Sequence, residues 1–473
     1  MSGLFSSLDA SVQALNAQSY AINITGKNVA NLNNPSYSDE SVVFGSSGTT
    51  DTPEGPMSSG IEVEGVTSAR DSLLDAQVVN QISVASSLTT QQQFLQTAQS
   101  GLGENLTNTS ASSSTSTTTS TGTSGLSTAL DSFFNSFQSL AAAPTSTAQK
   151  QSVLQQAAIL TDTFQQTDAN LAQVQTELTS QAQSGVSDAN QQLKTIAQLN
   201  GQITAMEAGH PGSAVDLRDE REAAVEQLAA DVPITTTQAA NGSLQVSMTD
   251  TSGNPVALVN GSTVTGPLAV SGGSITGGAS AATLQVSSGS VYGALSVRDG
   301  EIQNVRTSLD SLADQIVTSV NSVYNPTSAP GGNFFDPTGT TAATIALSGS
   351  LSPSNLTAGT GAAGDNSIAL AVAGIASQTF STGGGDAIDG TIDQYYSGVV
   401  TGLGQTLSST DNQVTNENAL LNLVQTQRDN ASGVSMDTEM GNLMKYQNAY
   451  QASARVFSTI DALLSTLINT GSP

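Results

Sequence analysis

The chain has 473 residues, more than one hydrophobic core usually holds, which predicts two to four domains. Its 11 basic and 38 acidic residues give a formal charge of −27, which argues against nucleic acid and anionic membrane surfaces as partners. Because only 10% of the residues are charged and cysteine is absent, we predict no catalytic residues, no metal or other cofactor, and no enzymatic activity.

Each end of the chain is predicted to form a long helix with one apolar stripe. The first helix is expected from about Ser6 to Asn31, ending before Pro35 because a residue that precedes proline avoids the helical conformation. The last helix is expected after a break at Ser432–Gly433. Neither helix can bury its stripe alone, so we expect the ends to pair and to leave surface for neighbouring subunits. The predicted assembly interface comprises Phe5, Leu8, Val12, Leu15, Ile22, Asn28, Asn31, Pro35, Tyr37, Met440, Leu443, Tyr450, Phe457, Leu464 and Leu467.

Between the ends, helical segments alternate with regions that lack helical periodicity. Short alternating segments between glycine and asparagine turns predict a β-rich region at 232–292. A second region at 326–392, rich in Gly, Ser and Thr, is expected to be strand or loop, with a short helix capped by Asn366 or Ser367. The predicted fold is an elongated multidomain α + β protein. In it, a long α-helical coiled-coil or bundle domain, formed by both chain ends and the middle helices, carries β-rich outer domains.

Three domains follow from this order of segments. They are a terminal coiled coil (1–60 with 432–473), a helical bundle (61–231 with 293–325 and 393–431) and β-rich outer domains (232–292 with 326–392).

Several polar groups were weighed as sites and interpreted as ordinary structure. The mixed charges of residues 218–222 are expected to form a solvated helix face. His210 lies in a turn with no second histidine, so neither metal binding nor catalysis is expected there. Aspartates at 386, 389 and 393 lack the spacing of an EF-hand loop and favour a turn-rich linker. The Ser/Thr tract at 107–125 predicts a surface loop. The first residues lack the basic and continuous apolar segments of a secretory signal peptide.

The two ends and several internal stretches resemble flagellar proteins. KNVAN (27–31) and NPSYS (34–38) resemble the leader shared by flagellar rod, hook and hook-associated proteins, with Lys27 and Ser36 as departures from its usual Asn and Gly. The C-terminal SGVSMDTEMGNLMKYQNAYQASARVFSTIDALLSTLIN resembles the ending of the flagellar hook-associated protein 1 family. AVDLRDEREAAVEQLA, YGALSVRDGEIQNV and GDNSIALAVAGIA resemble the same family in the same order. The likeness covers most of the chain and is weak at 236–288 and 336–363.

The resemblance implies a structural protein of the hook–filament junction, exported unfolded through a type III pathway and assembled outside the cell. The implied partners are further copies in a ring-like or helical layer, the hook protein, a second junction protein on the filament side, an export chaperone and the export apparatus. Nucleic acid and membrane insertion are not implied. One alternative is another axial protein of the hook type. A secreted adhesin or enzyme with ligand-binding β domains is a weaker alternative, because those regions hold few carboxylates or aromatic residues.

Overall fold

The chain folds into two compact units. The computed structural model describes residues 2–52, 55–58, 60–103, 125–209, 212–361 and 364–470. The first unit combines Met1–Ser86, Gly185–Gly289 and Asn416–Pro473, and the second combines Ser87–Ser184 and Ser290–Thr415. The three domains expected from the sequence group these segments differently and stay a prediction. His210 and residues 107–124 of the Ser/Thr tract lie outside the described residues.

Helices dominate both units, as the periodicity of the sequence predicts. In the described ranges they are Ser2–Ala30 (α1), Ser72–Gly101 (α2), Leu126–Ala142 (α3), Thr147–Met206 (α4), Val215–Asp231 (α5), Gly289–Val297 (α6), Gln303–Tyr324 (α7), Ser367–Gly374 (α8), Ile392–Ser432 (α9) and Met436–Thr470 (α10). A five-residue π-helical turn joins α6 to α7. At about 1.5 Å of rise per residue, the 60 residues of α4 extend for about 90 Å. None of these helices combines the length and apolar character needed to cross a membrane.

The strands are short and all pair antiparallel. They are Glu40–Ser46 (β1), Thr49–Thr52 (β2), Gly55–Ser58 (β3), Ile61–Ser68 (β4), Thr235–Gln238 (β5), Leu244–Thr249 (β6), Pro255–Asn260 (β7), Thr263–Val264 (β8), Ala269–Ser271 (β9), Ser274–Gly277 (β10) and Ala282–Leu284 (β11). The sheets have the orders β1-β4, β2-β3, β5-β6-β7-β8 and β11-β10-β9. Strands β5 to β11 lie within the β-rich region expected at 232–292, whereas the sequence had predicted no strand where β1 to β4 form.

The β-rich character expected for 326–392 is not observed among the described residues of that segment. Only isolated bridges occur there, such as Phe335 with Leu347. Side chains take the backbone hydrogen bonds that a ladder would use: Asp336 accepts the N–H of Thr338, and Asp389 accepts that of Thr382. The segment is therefore the loop alternative. Helix α8 begins after Asn366 as expected, but the Asn366 side chain does not cap it and donates instead to the Ala141 carbonyl (2.8 Å).

The core of the second unit includes a cluster of aromatic rings. Phe133 and Phe137 of α3 meet Phe334 and Phe335, which follow α7, with ring centroids 5.0–6.0 Å apart. All four side chains are fully buried. Because buried aromatic side chains contribute much of a core's apolar area, this cluster fixes the loop after α7 against α3.

Candidate functional site

The first helix packs through a face of small residues. Ser11, Ala17, Ala21, Thr25 and Asn28 are each at most 7% exposed. Along this face α1 contacts α10, β1 and β4. Small side chains let neighbouring backbones approach closely, since the distance between packed elements depends on the side chains at the contact. The two chain ends therefore pair, as the sequence predicts, but α1 does so through a different face from the one expected.

The apolar stripes predicted to form the assembly interface are only partly covered. Phe5 of α1 is 57% exposed and Met440 of α10 is 47% exposed. The other exposed members are Val12, Tyr450 and Leu467. Partly buried members are Leu8, Leu15, Ile22, Leu443 and Phe457, and Leu464 is buried. An unassembled subunit thus leaves much of both stripes in contact with water.

Asn28, near the end of α1, is the centre of a buried polar cluster. Its side-chain oxygen accepts hydrogen bonds from the hydroxyl of Tyr37 (2.7 Å) and the backbone N–H of Glu40 (3.2 Å). Its amide nitrogen donates to Asp39 Oδ1 (2.7 Å), the Glu40 carbonyl (2.8 Å) and Glu439 Oε2 (2.9 Å). One side chain thereby joins α1, the following turn, β1 and α10.

The turn after α1 is tied to other elements of the same unit. The Ser36 carbonyl accepts a hydrogen bond from Arg70 Nη2 (2.8 Å), and that of Pro35 accepts one from Arg428 Nη2 (3.3 Å). The backbone N–H of Asp39 donates to the Ser432 carbonyl at the end of α9 (2.8 Å).

The four predicted interface residues of this turn differ in exposure. Asn28 and Tyr37 are buried inside the unit, Asn31 is partly buried, and Pro35 is exposed. The buried pair holds the turn in place, while Pro35 is exposed to solvent and Asn31 is partly so.

The charged run in α5 is not the solvated face that the sequence predicts. Asp219 and Arg221 are buried. Asp219 pairs with Arg70 (3.0 Å), and Arg218 pairs with Glu207 (2.8 Å). The expectation was wrong because the partners Arg70 and Glu207 lie outside α5, where the periodicity of that helix gives no signal. Lys27 belongs to the same network, through Asp216 and Glu40.

Burial raises the pKa of two side chains in the polar cluster around Asn28, Asp39 and Tyr37. Burial first, and then the charge of Glu439, raise the pKa of Asp39 to about 6. Burial also raises the pKa of the Tyr37 hydroxyl well above its usual range. The carboxyl group of Asp39, next to the contact between α1 and α10, therefore changes charge near pH 6.

We expect the free energy of unfolding to fall as the pH rises from 5 to 7. A carboxyl whose pKa is raised from 3.8 to about 6 on folding binds its proton more tightly in the folded state. Its stabilising contribution is complete below about pH 4 and is lost as the pH rises through about 6. Urea unfolding of the wild type, followed by circular dichroism, should give a higher midpoint at pH 5 than at pH 7.

The Asp39→Asn variant should show a smaller difference between these midpoints, whereas Asp188→Asn, at an exposed position of α4, should match the wild type. A pH dependence that is the same in all three proteins would contradict the assignment to Asp39.

Among the residues that the structure describes, no group of three or more His, Asp or Glu side chains could hold a metal ion. Two of the three aspartates considered for calcium serve turns, since Asp386 accepts the Ser381 N–H and Asp389 that of Thr382, and Asp393 lies in the first turn of α9.

Comparison with known proteins places the chain among flagellar proteins. The family model described as "Flagellar hook-associated protein FlgK helical domain" matches residues 112–335, and "Flagellar basal body rod FlgEFG protein C-terminal" matches 420–470. "Flagellar hook-associated protein 1" of Bacillus subtilis (strain 168) is 26% identical over an alignment of 522 positions that covers 99% of this chain and 99% of the relative. The chain is thus similar to flagellar hook-associated protein 1 over nearly its whole length. These similarities indicate a structural component of the flagellum and not an enzyme.

Other known proteins match only part of this chain. "Flagellar hook-associated protein 1" of Salmonella typhimurium (strain LT2) is 27% identical over 260 residues. That match covers 55% of this chain and 43% of the relative, so the chain spans less than half of that longer protein. A solved structure, "The structure of the flagellar hook junction protein FlgK from Burkholderia pseudomallei", is similar with 23% identity and a TM-score of 0.45. It covers 55% of this chain and 46% of that one.

Proposed function

We propose that the chain is the structural protein of the hook–filament junction, which self-assembles there after type III export. The observation that carries this proposal is the exposure of the apolar stripes on α1 and α10, including Phe5 and Met440. Soluble monomers rarely expose extended apolar patches without a partner. A subunit that leaves both terminal helices partly uncovered suits assembly with neighbours through those helices.

Helix α1 has one buried face of small residues and another face with exposed bulky residues, which supports this proposal. The small residues of α1 and the hydrogen bonds of Asn28 hold the subunit together. The exposed bulky residues of α1, Phe5 and Val12, remain available to other subunits. We assign the interface to the exposed and partly buried members of the predicted set, with Asn28 and Tyr37 acting as internal supports.

The partners follow from a position between hook and filament. They are other copies of the chain in a ring-like or helical layer, the hook protein below, and a second junction protein above. An export chaperone and the export apparatus act before assembly, and the assembled protein lies outside the cell. Three domains are expected from the sequence. We propose that the one formed by the terminal helices is the assembly domain.

Deletion of the chromosomal gene in the native bacterium tests the function. We expect cells that build hooks but carry no filaments, do not swim, and release filament protein into the medium. Electron microscopy and an immunoblot of the medium provide the two measurements. Expression of the wild-type chain from a plasmid is the control and should restore the filaments.

Other outcomes of the deletion separate the alternatives. Loss of the hooks themselves would assign the chain to the hook, and normal filaments with normal swimming would exclude a junction role altogether.

A further inference from the structure

Three of the seven methionines of the chain lie within one short stretch at the start of α10. Met436, Met440 and Met444 follow one another at four-residue intervals, so they fall within an arc of about 80° and span about 12 Å along the helix axis. Their side chains are 42%, 47% and 58% exposed. Together they form a methionine face, of which only Met440 belongs to the interface predicted from the sequence.

The methionine face is turned away from the side of α10 that packs within the first unit. That packed side carries the buried residues Glu439, Ile460 and Leu464, and Glu439 accepts the hydrogen bond of Asn28 in α1. At about 100° per residue, each of these three positions lies about 100° or more round the helix from Met440. The methionine side chains are therefore accessible to small molecules in the solvent.

An exposed thioether can be oxidised by a dissolved peroxide. A sulfur lone pair attacks one oxygen of hydrogen peroxide, and the S–O bond forms as the O–O bond breaks. The leaving hydroxide takes the proton from the transferred oxygen and becomes water, so the sulfur is oxidised by two electrons and the peroxide is reduced by two. Because the chain has no cysteine, its methionines hold all of its sulfur.

Oxidation changes the character of the surface. A thioether packs as a flexible apolar group, whereas a sulfoxide is polar and its oxygen accepts hydrogen bonds. Each sulfoxide oxygen would lose its bound water when another protein covers the face, which is unfavourable unless a donor replaces that water. Three sulfoxides on one side of α10 would therefore weaken a contact made through that side.

The fold of the subunit depends little on the methionine face. The contact between α1 and α10 rests on the small residues of α1 and on the hydrogen bonds of Asn28, which lie on the packed side. Changes at exposed positions usually have small effects on stability. Oxidation of this face should therefore affect association and leave folding intact.

We propose that Met436, Met440 and Met444 form an oxidation site at which peroxides convert an apolar surface of α10 into a polar one and prevent association of the subunit. The effect on association rests on the function proposed above, whereas the modification itself does not. The change is reversible, because methionine sulfoxide reductases restore the thioether at the expense of a thiol reductant.

Mass spectrometry of peptides from the full chain, after timed exposure to hydrogen peroxide, tests the modification. Met206, 59% exposed at the end of α4, and Met248, 2% exposed in β6, are internal references. We expect Met436, Met440 and Met444 to be oxidised within threefold of the rate of Met206 and at least tenfold faster than Met248. Reductases A and B with dithiothreitol should return all three to the thioether. Rates no faster than that of Met248 would overturn the site.

Circular dichroism tests whether the oxidised chain stays folded. Its melting temperature should lie within about 3 °C of that of the untreated chain. A larger fall that the two reductases reverse would show that the methionines support the fold, and would overturn their assignment to a free surface.

Binding to hooks on cells that lack the gene tests the effect on association. The purified chain is added untreated, oxidised, or oxidised and then repaired, and labelled hook tips are counted by immunogold electron microscopy. Met206→Leu is present in all three samples, because it removes the other exposed methionine among the described side chains and lies outside α10. We expect oxidation to reduce the labelled tips at least tenfold, and repair to restore them to within twofold.

The outcomes separate the two proposals. Equal labelling by untreated and oxidised protein would overturn the effect of oxidation on association. If the untreated protein labels no hooks, the junction role fails and the effect on association fails with it, while the mass spectra decide the oxidation site independently.

Discussion

Replacing Met440 and Tyr450 together with glutamate will abolish filament formation and leave the melting temperature of the isolated chain within about 3 °C of the wild type. Both side chains are exposed in the subunit, so their replacement removes little internal packing. Surface substitutions of this kind usually change stability by no more than about 0.5 kcal/mol. In an assembled layer the same positions would meet apolar neighbours, and unpaired carboxylates buried there would be strongly unfavourable.

The double variant should be expressed in a strain that lacks the wild-type chain, with filaments counted by electron microscopy and swimming scored in soft agar. Asn448→Glu is the matched control, because Asn448 is an exposed residue of the same helix outside the stripe. It should swim like the wild type. Normal filaments in the double variant would place the assembly surface elsewhere. A large fall in its melting temperature would show that the stripe belongs to the subunit's own core.

Asn28→Ala is expected to lower the free energy of unfolding of the first unit by about 3–5 kcal/mol. The substitution removes the partner of the Tyr37 hydroxyl and one donor to each of two carboxylates, Asp39 and Glu439. Asn28 is 1% exposed, so water cannot readily replace these bonds. A buried polar group left without a partner costs about 1–3 kcal/mol.

Urea unfolding followed by circular dichroism measures this effect. Asn34→Ala in the following turn is the matched control, because Asn34 is exposed and its side chain makes only long hydrogen bonds of 3.3 and 3.5 Å. Its effect should stay near 0.5 kcal/mol. A loss below 1 kcal/mol for Asn28→Ala would mean that the polar cluster contributes little to joining α1 with α10.

Most helices could be predicted from the sequence, because their signals are local. The first helix ends at Ala30, before Pro35, as expected, and the expected break at Ser432–Gly433 falls between α9 and α10. Glycine at 433 ends α9 with a backbone hydrogen bond to the Asp429 carbonyl. Such features depend on a few neighbouring residues, which a single sequence displays completely.

The faces that become buried could not be predicted in the same way. The periodicity of α1 selects its bulky residues, whereas the structure buries Ala17, Ala21 and Thr25. Which face is covered depends on the elements packed against it, and these come from the other end of the chain. For the same reason the burial of Arg221 escaped detection, since its partner Asn200 lies on a different helix.

The hairpin strands β1 to β4 did leave a signal that was missed. In β4, Ile61 and Val63 alternate with Glu62 and Glu64, which is the period of a half-buried strand. The segment follows the predicted end of the first helix, and no secondary structure was predicted for it. The carboxylates that meet at Asn28 left no comparable signal, because Asp39 and Glu439 are 400 residues apart.

The small-residue face of α1 has a consequence for experiments on the isolated protein. If the exposed stripe is the assembly surface proposed above, folding and polymerisation are encoded on different sides of one helix, and each can be altered without the other. Truncating an outward residue such as Phe5 or Val12 leaves the alanine face untouched. We propose a subunit trimmed in this way as a starting point for obtaining non-polymerising protein in solution.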